Sequence, residues 1–186
     1  DFNLKAADLF KASFALPFVL NVDADMKNTK INVLQFIGPS TFLPDTTTYK
    51  SDAAEQLLGV LSKQSVNLLK MAGVSEDQAK EYVEDALKFD KKISEVVKST
   101  EEWADYPAMY NPTSMEDFEG KIHDFKIDYF LKEALGEVPD RIIVTEPRFL
   151  EHFDELINED NFDEIKGWMI VKFINGAAAY LSQDFR

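Results

Sequence analysis

The stretch "AEQLLGVLSKQSVNLLKMAGVSEDQ", residues 54–78, decides the fold class. Its apolar residues recur every three or four positions, the spacing of one helical face: Ala54, Leu57, Leu58, Leu61, Leu68, Leu69 and Ala72. A helix is therefore predicted over 51–72, and Gly73 is expected to end it. Ser75 and Gln78 have the spacing of a capping box, which predicts a second helix from there to about residue 104. Two helices joined by so short a turn indicate an antiparallel helical hairpin.

Shorter patterns predict a small β component and several further helices. Residues 18–37 place two β-branched runs around a polar segment and are expected to form a β-hairpin, and "RIIVT", 141–145, a third strand. The other predicted helices are 3–16 with Asn3 as N-cap, a short helix capped by Ser114 with Asp117 three residues on, 124–135 before Gly136, 147–158 beginning at Pro147, and 162–183 after Asn161. The predicted fold is mainly α with a small β-hairpin and one further short strand. The long helix pair and the C-terminal helices are expected to form a single domain over 1–186.

Charge and composition exclude several classes of function. The chain has 34 acidic and 20 basic residues, a net charge of −14, so neither nucleic acid nor an anionic membrane surface is an expected partner. It contains no cysteine, which excludes disulfides, thiolate metal sites and cysteine nucleophiles. No apolar run approaches the roughly 18 residues of a membrane span and no targeting segment is evident. A cytoplasmic location is expected, with export as the alternative, and a chain that begins at Asp1 rather than Met is expected to be part of something larger.

Two segments have the first features of a metal site. "DADMKN", 23–28, begins like a calcium loop, but Asn28 and Leu34 stand where such a loop needs glycine and a bidentate glutamate, which favours a hairpin turn. The only histidines are His123 and His152, and no H-E-x-x-H pattern is present. His152 and Glu155 could contact a metal together. A surface pair is the favoured interpretation, because this part of the chain is densely acidic.

Two loops could carry either chemistry or packing. "WADYPAMYNP", 103–112, concentrates aromatic side chains that could bind a ligand, although anchoring of the loop onto the core is favoured. "GPSTFLPDTTTYK", 38–50, has one glycine and no following lysine, and Pro39 removes a backbone donor that a phosphate loop would use. Its apolar residues indicate an ordered connector between strand and helix. No G-x-S-x-G nucleophile turn is present, and adjacent carboxylates such as Glu101 and Glu102 are expected to be solvated surface. No catalytic constellation is complete.

Three stretches stand in register: "FVLNVDADMKNTKINVLQFIGPSTFLPDTTTYK" (18–50), "MYNPTSMEDF" (109–118) and "RIIVTEPRFLEHFDELINE" (141–159) with the helix that follows. Together they resemble the neprilysin-like zinc endopeptidases, including the bacterial oligopeptidase O group. The residues that match the family's motifs are Asp25, Lys27, Asn28, Pro39, Leu43, Pro44, Asp45, Tyr49, Tyr110, Asn111, Ser114, Met115, Pro147, Phe149, Leu150, Trp168, Leu181, Ser182, Phe185 and Arg186. The order and spacing fit over essentially all 186 residues.

The resemblance implies a fragment of the N-terminal, mainly helical lobe of such an enzyme. In that family the zinc ligands and the general base lie far downstream, in a second lobe with H-E-x-x-H and E-x-x-x-D motifs. This chain has neither motif, so no catalytic, metal or substrate-binding residue is assigned to it, and the matching residues are interpreted as structural. The resemblance implies zinc only in the parent enzyme, with the catalytic lobe and peptide substrates as partners.

Three hypotheses about function follow. The first is a helical lobe that encloses the active-site chamber and restricts substrates to peptides, inactive alone, with the last helix as an interface to the missing lobe. The second is a stand-alone acidic helical domain for binding or adapting other proteins. The third is an enzyme built on His152, Glu155 and the aromatic loop.

Overall fold

Two long helices occupy the stretch for which the helical hairpin was predicted, and their antiparallel packing stays a prediction. The first is α2 (Ala54–Met71) and the second is α3 (Glu76–Val96), and Gly73 between them has a φ of +92°. Ser75 Oγ accepts the backbone N–H of Gln78 at 3.3 Å, which confirms the predicted cap. The prediction that the second helix continues to about residue 104 is wrong. Ser99 and Glu102 form a capping box that begins a separate helix, α4 (Thr100–Trp103).

The computed structural model describes residues 2–178 and residue 180, which group into two compact units. The first unit comprises the described residues within 1–40 and 96–158, and the second those within 41–95 and 159–186. The prediction of one domain over 1–186 stays a prediction. Among the described residues, no helix combines the length and apolar composition of a membrane span.

The first unit contains a four-stranded sheet and most of the short helices. The strands are β1 (Val19–Asp25), β2 (Asn28–Ile37), β3 (Pro112–Ser114) and β4 (Arg141–Val144). Besides α4, the helices are α1 (Phe2–Lys11), α5 (Met115–Glu119), α6 (Ile127–Leu135), α7 (Pro147–Glu151) and α8 (Phe153–Leu156). The strand order is β1-β2-β4-β3. The pairs β1–β2 and β3–β4 are antiparallel, and β2–β4 is parallel. The hairpin and the strand at 141–145 are confirmed, whereas β3 was not predicted.

Phenylalanines fill the core of the first unit. The rings of Phe36 and Phe118 have centroids 5.0 Å apart, and those of Phe18 and Phe130 lie 5.2 Å apart edge to face. The buried rings are Phe18, Phe36, Phe118, Phe125, Phe130, Phe149 and Phe153. Burial of each such side chain stabilises a fold by about 1.5–3 kcal/mol, so these rings contribute strongly to the packing of the helices on the sheet.

The second unit is built from α2, α3 and α9 (Phe162–Ala178). The helix α9 packs against α2, where Asn175 Nδ2 donates to Ser65 Oγ at 2.8 Å. It also meets α3, where a Cβ on Gly167 would lie only 2.7 Å from the carbonyl oxygen of Tyr82. Glycine at this position therefore permits the close approach of the two helices. Trp168 and Phe89 are completely or almost completely buried beside it.

Several helix predictions differ from the structure in detail. Asn3 lies inside α1 instead of capping it, and its Oδ1 accepts the backbone N–H of Lys126. That helix ends at Lys11 rather than residue 16, because Ser13 adopts a positive φ of 61°. The predicted helix 147–158 is divided at His152 into α7 and α8. The predicted end of the last helix at 183, with the motif residues Leu181, Ser182, Phe185 and Arg186, lies outside the described residues.

Candidate functional site

The first group of motif residues surrounds Asp25 at the end of β1. The carboxylate is almost completely buried and accepts the backbone N–H of Lys27 at 2.7 Å. Tyr110 donates its hydroxyl to both carboxylate oxygens, at 3.0 and 3.2 Å, and Arg141 Nη2 donates at 2.5 Å. The backbone N–H of Lys27, followed by the Tyr110 and Arg141 donors, lowers the pKa of Asp25 despite its burial. Asp25 therefore joins the hairpin turn to β4 and to the loop that precedes β3.

Lys27, Asn28 and Asn111 complete this group. The ammonium of Lys27 lies 4.6 Å from the centroid of the Tyr110 ring. Asn28 Oδ1 accepts the backbone N–H of Lys30 at 3.3 Å at the start of β2. Asn111 Nδ2 donates to the carbonyl oxygens of Ala108 and Val144, at 2.8 and 3.0 Å. These contacts close a β-hairpin turn and attach the aromatic loop to β4, as a structural role for both segments requires.

A second buried carboxylate, Glu146, lies in the first unit beside Pro147. Glu146 Oε2 accepts the backbone N–H of Gly38 at 2.6 Å, and Oε1 accepts that of Lys98 at 2.7 Å. A Cβ on Gly38 would lie 2.7 Å from Glu146 Oε2, so only glycine permits this approach without displacement. Burial raises the pKa of Glu146, although its two backbone donors oppose the shift. Glu146 thus connects the end of β2 with the segment that follows α3.

Arg148 strengthens this junction from the surface. Its guanidinium donates to Glu102 at 2.9 and 3.0 Å and to the carbonyl oxygens of Val96 and Val97, each at 3.0 Å. The hydrogen bond from Arg148, followed by that from the backbone of Ser99, lowers the pKa of Glu102 to about 2. Pro147 stands at the first turn of α7, as predicted from its fixed φ.

The third buried carboxylate is Asp90 of α3, in the second unit. It is fully buried and accepts the backbone N–H of Phe42 at 3.0 Å and the indole N–H of Trp168 at 3.0 Å. The Tyr49 hydroxyl also donates to Asp90 and itself accepts the backbone N–H of Leu43 at 3.1 Å. Burial is the largest influence on both groups and raises the pKa of Asp90 and that of Tyr49. Three predicted motif residues, Leu43, Tyr49 and Trp168, therefore meet around this one carboxylate.

Further contacts hold the connector 38–50 before and after the residues that contact Asp90. Asp45 accepts the backbone N–H and the hydroxyl of Thr47, at 2.8 and 2.7 Å, and so caps the 3₁₀ turn Thr46–Lys50. Lys172 of α9 donates to the carbonyl oxygen of Thr41 at 3.1 Å and lies 5.0 Å from the centre of the Phe42 ring. Burial lowers the pKa of Lys172. Pro39 and Pro44 stand in the connector, where each fixes a backbone φ.

The chemistry of these three groups is that of anchoring. Each carboxylate accepts several donors from its own unit, which leaves little capacity to receive a substrate proton. Among residues 2–178 and 180, no group of three or more His, Asp or Glu side chains is placed to hold a metal ion. His123 contacts Asp154 at 2.7 Å, and His152 contacts Glu155 at 2.8 Å. Both pairs lie at the surface, and neither provides the ligand set of a zinc site.

Sequence reasoning missed one charged residue in each group. Arg141, Glu146 and Asp90 were not singled out, whereas Asp25 was. Asp90 carried a signal, since it falls four residues after Ala86 and three before Ile93, which are both buried apolar residues of α3. A carboxylate at such a position must find donors inside the fold.

Comparison with known proteins places these motifs in one family. Residues 1–186 match the family model described as "Peptidase family M13". The neutral endopeptidase of Lactobacillus helveticus is 62% identical over 185 residues, which are 100% of this chain and 29% of the relative. The neutral endopeptidase of Lactococcus lactis subsp. cremoris is 37% identical over 96% of this chain and 28% of its own length. The chain thus spans less than a third of the length of these relatives.

Two solved structures share the fold. The crystal structure of PEPO from Lactobacillus rhamnosis is 29% identical, with a TM-score of 0.85 over 100% of this chain and 30% of that one. The Mycobacterium tuberculosis zinc metalloprotease ZMP1 in its open state gives a TM-score of 0.86 at 19% identity, again over 100% of this chain and 30% of its own. The second likeness concerns the fold alone.

Proposed function

The chain belongs to peptidase family M13, and from this membership we propose that it is the N-terminal helical lobe of a zinc metalloendopeptidase. The resemblance to neprilysin-like enzymes noted in the sequence is confirmed at the level of the family. One observation carries the proposal: all 186 residues match the family, while they span only 29% of a relative named neutral endopeptidase. The remaining polypeptide of the parent protein is long enough to hold a complete catalytic lobe.

In this proposal hydrolysis belongs to the part of the parent protein outside these residues. A catalytic zinc site uses three protein ligands and an open position for water or substrate. The described residues offer no such group, and the sequence contains no H-E-x-x-H. The residues that the structure describes therefore do not fit zinc. We expect the chain alone to be inactive as a peptidase.

The proposed task of this lobe is to enclose the active-site chamber and to admit peptides rather than folded proteins. The support is the nature of the motif residues, which fix loops to buried carboxylates instead of offering reactive groups. Asp25, Glu146 and Asp90 each tie chain segments that are far apart in sequence. We expect segments held in this way to be rigid, as exclusion by size requires.

The proposal is tested on the parent peptidase with substrates of increasing size that share one cleavage sequence. A short peptide, a long unfolded chain and a stably folded domain carrying that sequence in an exposed loop form the series. We expect chelator-sensitive cleavage of the short peptide and a steep fall in kcat/KM for the folded domain. Equal cleavage of the short peptide and the folded domain would contradict enclosure by this lobe. Absence of any chelator-sensitive cleavage would contradict the proposed enzyme itself.

A further inference from the structure

The helix α2 has a row of exposed positions that carry no charge, with the exposed Lys63 beside it. Leu57, Val60, Gln64, Asn67 and Met71 follow one another at steps of three and four residues and so lie along one side of the helix. We call these five residues the α2 stripe. Leu57, Val60 and Met71 are 45%, 61% and 44% exposed, and the two amides between them are also exposed. Exposed helix positions of a strongly acidic chain normally hold charged side chains, so this stripe is unusual for a surface that faces water.

The beginning of α2 has little cover within its own unit. The buried residues of the helix are Ser65, Leu68 and Leu69, all in its second half. The first half contains apolar residues that the sequence predicted for the core, yet none of them is buried: Ala54, Leu57, Leu58 and Leu61. The apolar surface of α2 therefore exceeds what the second unit covers.

The last helix, which the sequence suggested as an interface, has most of its apolar side chains buried. Ile165, Trp168, Val171 and Ile174 of α9 are buried, whereas Phe162 and Phe173 are 42% and 46% exposed. Burial within the chain therefore explains most of the apolar composition of α9. It does not explain the apolar composition of the first half of α2.

We propose that the α2 stripe is the docking surface for the part of the peptidase polypeptide that lies outside these 186 residues. This inference rests on the proposed function, because it takes the chain to be one section of a longer enzyme. The chain spans 28–29% of its curated relatives, so more than two thirds of each relative must find surfaces to pack against. Covering the α2 stripe removes apolar area from water without the free-energy cost of removing an ion from water. The occupant is accordingly an apolar segment of the same polypeptide.

The test uses the complete parent peptidase with one cysteine introduced at a time. Val60→Cys reports on the α2 stripe, and Gly59→Cys is its matched control on the next residue. Gly59 is exposed and a Cβ there meets nothing within 4 Å, while one residue turns the helix by about 100° away from the stripe. The unsubstituted protein gives the background reaction of any cysteines in the rest of the chain. The rate of maleimide labelling is measured at several protein concentrations, with cleavage of a short peptide as the check on folding.

We expect Val60→Cys to react at least about tenfold more slowly than Gly59→Cys, independently of protein concentration, because a covered thiol reacts only after local opening. Leu57→Cys is expected to behave like Val60→Cys and serves if the first variant fails to fold. Equal rates at the two positions would overturn the inference. Protection that appears only as protein concentration rises would also overturn it, since a second copy would then be the occupant. Either result leaves the peptidase proposal standing, which depends on chelator-sensitive cleavage.

Discussion

Trp168 donates its indole N–H to Asp90 across 3.0 Å, although the two residues stand 78 positions apart in the chain. Both side chains are almost completely removed from water. Burying an indole N–H or a carboxylate without a hydrogen-bond partner costs free energy. The hydrogen bond between Trp168 and Asp90 offsets part of this cost for both residues. The pair joins α3 to α9 and, through the other donors to Asp90, holds the connector 38–50 in place.

Asp90→Asn is expected to destabilise the fold. The amide keeps one acceptor oxygen but points an NH₂ group at donors from Phe42, Tyr49 and Trp168. We expect a loss of about 1–3 kcal/mol in the free energy of unfolding, measured by urea denaturation of the 186-residue chain. Glu95→Gln makes the same acid-to-amide change at an exposed position of α3 and is expected to change stability by less than about 0.5 kcal/mol. Equal effects of the two substitutions would contradict the anchoring role of Asp90.

Two glycines of α9 are expected to respond in opposite directions to alanine. A Cβ at Gly167 would lie 2.7 Å from the carbonyl oxygen of Tyr82, so Gly167→Ala must force α3 and α9 apart at a cost of about 1–3 kcal/mol. A Cβ at Gly176 meets nothing within 4 Å. Gly176→Ala should therefore raise stability by up to about 1 kcal/mol through helix propensity alone. Thermal unfolding of both variants gives the measurement, and a stabilised Gly167→Ala would disprove the close helix contact.

Tyr110→Phe tests the group around Asp25. The substitution removes the hydroxyl that donates to both oxygens of the buried carboxylate, while the donors from Lys27 and Arg141 stay in place. We expect a loss of about 1 kcal/mol in the free energy of unfolding. Tyr106→Phe is the control, because Tyr106 is 64% exposed in the same loop and should be insensitive. A Tyr110→Phe variant as stable as Tyr106→Phe would mean that the hydroxyl does not hold the loop.

The ion pair of Glu102 and Arg148 predicts a specific dependence on acid. In the folded state the pKa of Glu102 is lowered from 4.5 to about 2, chiefly by the hydrogen bond from Arg148. A lowered pKa contributes stability that is present above the unfolded value and is lost as the pH falls toward the folded value. The wild-type chain should therefore exceed Glu102→Gln in stability at pH 7, and this difference should vanish between about pH 4.5 and pH 2.

Urea midpoints of both proteins at pH 7, 4 and 2 measure this difference. Glu101→Gln is the control, because Glu101 lies in the same first turn of α4 and interacts in the same way with the positive end of the helix dipole. We expect Glu101→Gln to show a smaller difference from the wild-type chain at pH 7 than Glu102→Gln. A difference that persists unchanged to pH 2 would contradict the acid-sensitive ion pair.

Local patterns predicted the elements well because the physics that forms them is local. The spacing of leucines in α2 and the cap at Ser75 act within a few residues, and both were recognisable from sequence. One misjudged helix boundary depended on a distant contact. Asn3 was expected as a cap, but its side chain is recruited by the backbone of Lys126, which no local pattern could reveal.

The three carboxylate groups show the same division. Resemblance to a family selected Asp25 and Tyr110, yet their meeting across 85 residues, and that of Asp25 with Arg141 across 116, are properties of the folded chain. Glu146 directly follows the predicted strand 141–145, a position that any polar residue can occupy. Its anchoring role is recognisable only in the folded chain, where its carboxylate accepts the backbone N–H of Gly38. Spacing along a chain reports on helices and strands, whereas partners in the core are decided by how those elements pack.

We propose that this chain forms part of a zinc peptidase but holds neither its zinc nor its hydrolytic activity. The direct measurement compares the isolated 186-residue chain with the complete parent protein after dialysis against zinc, by metal content and by cleavage of one short peptide. We expect about one equivalent of zinc and chelator-sensitive cleavage for the parent, as a single catalytic site requires, and neither for the chain. Stoichiometric zinc with chelator-sensitive cleavage by the isolated chain would contradict this proposal.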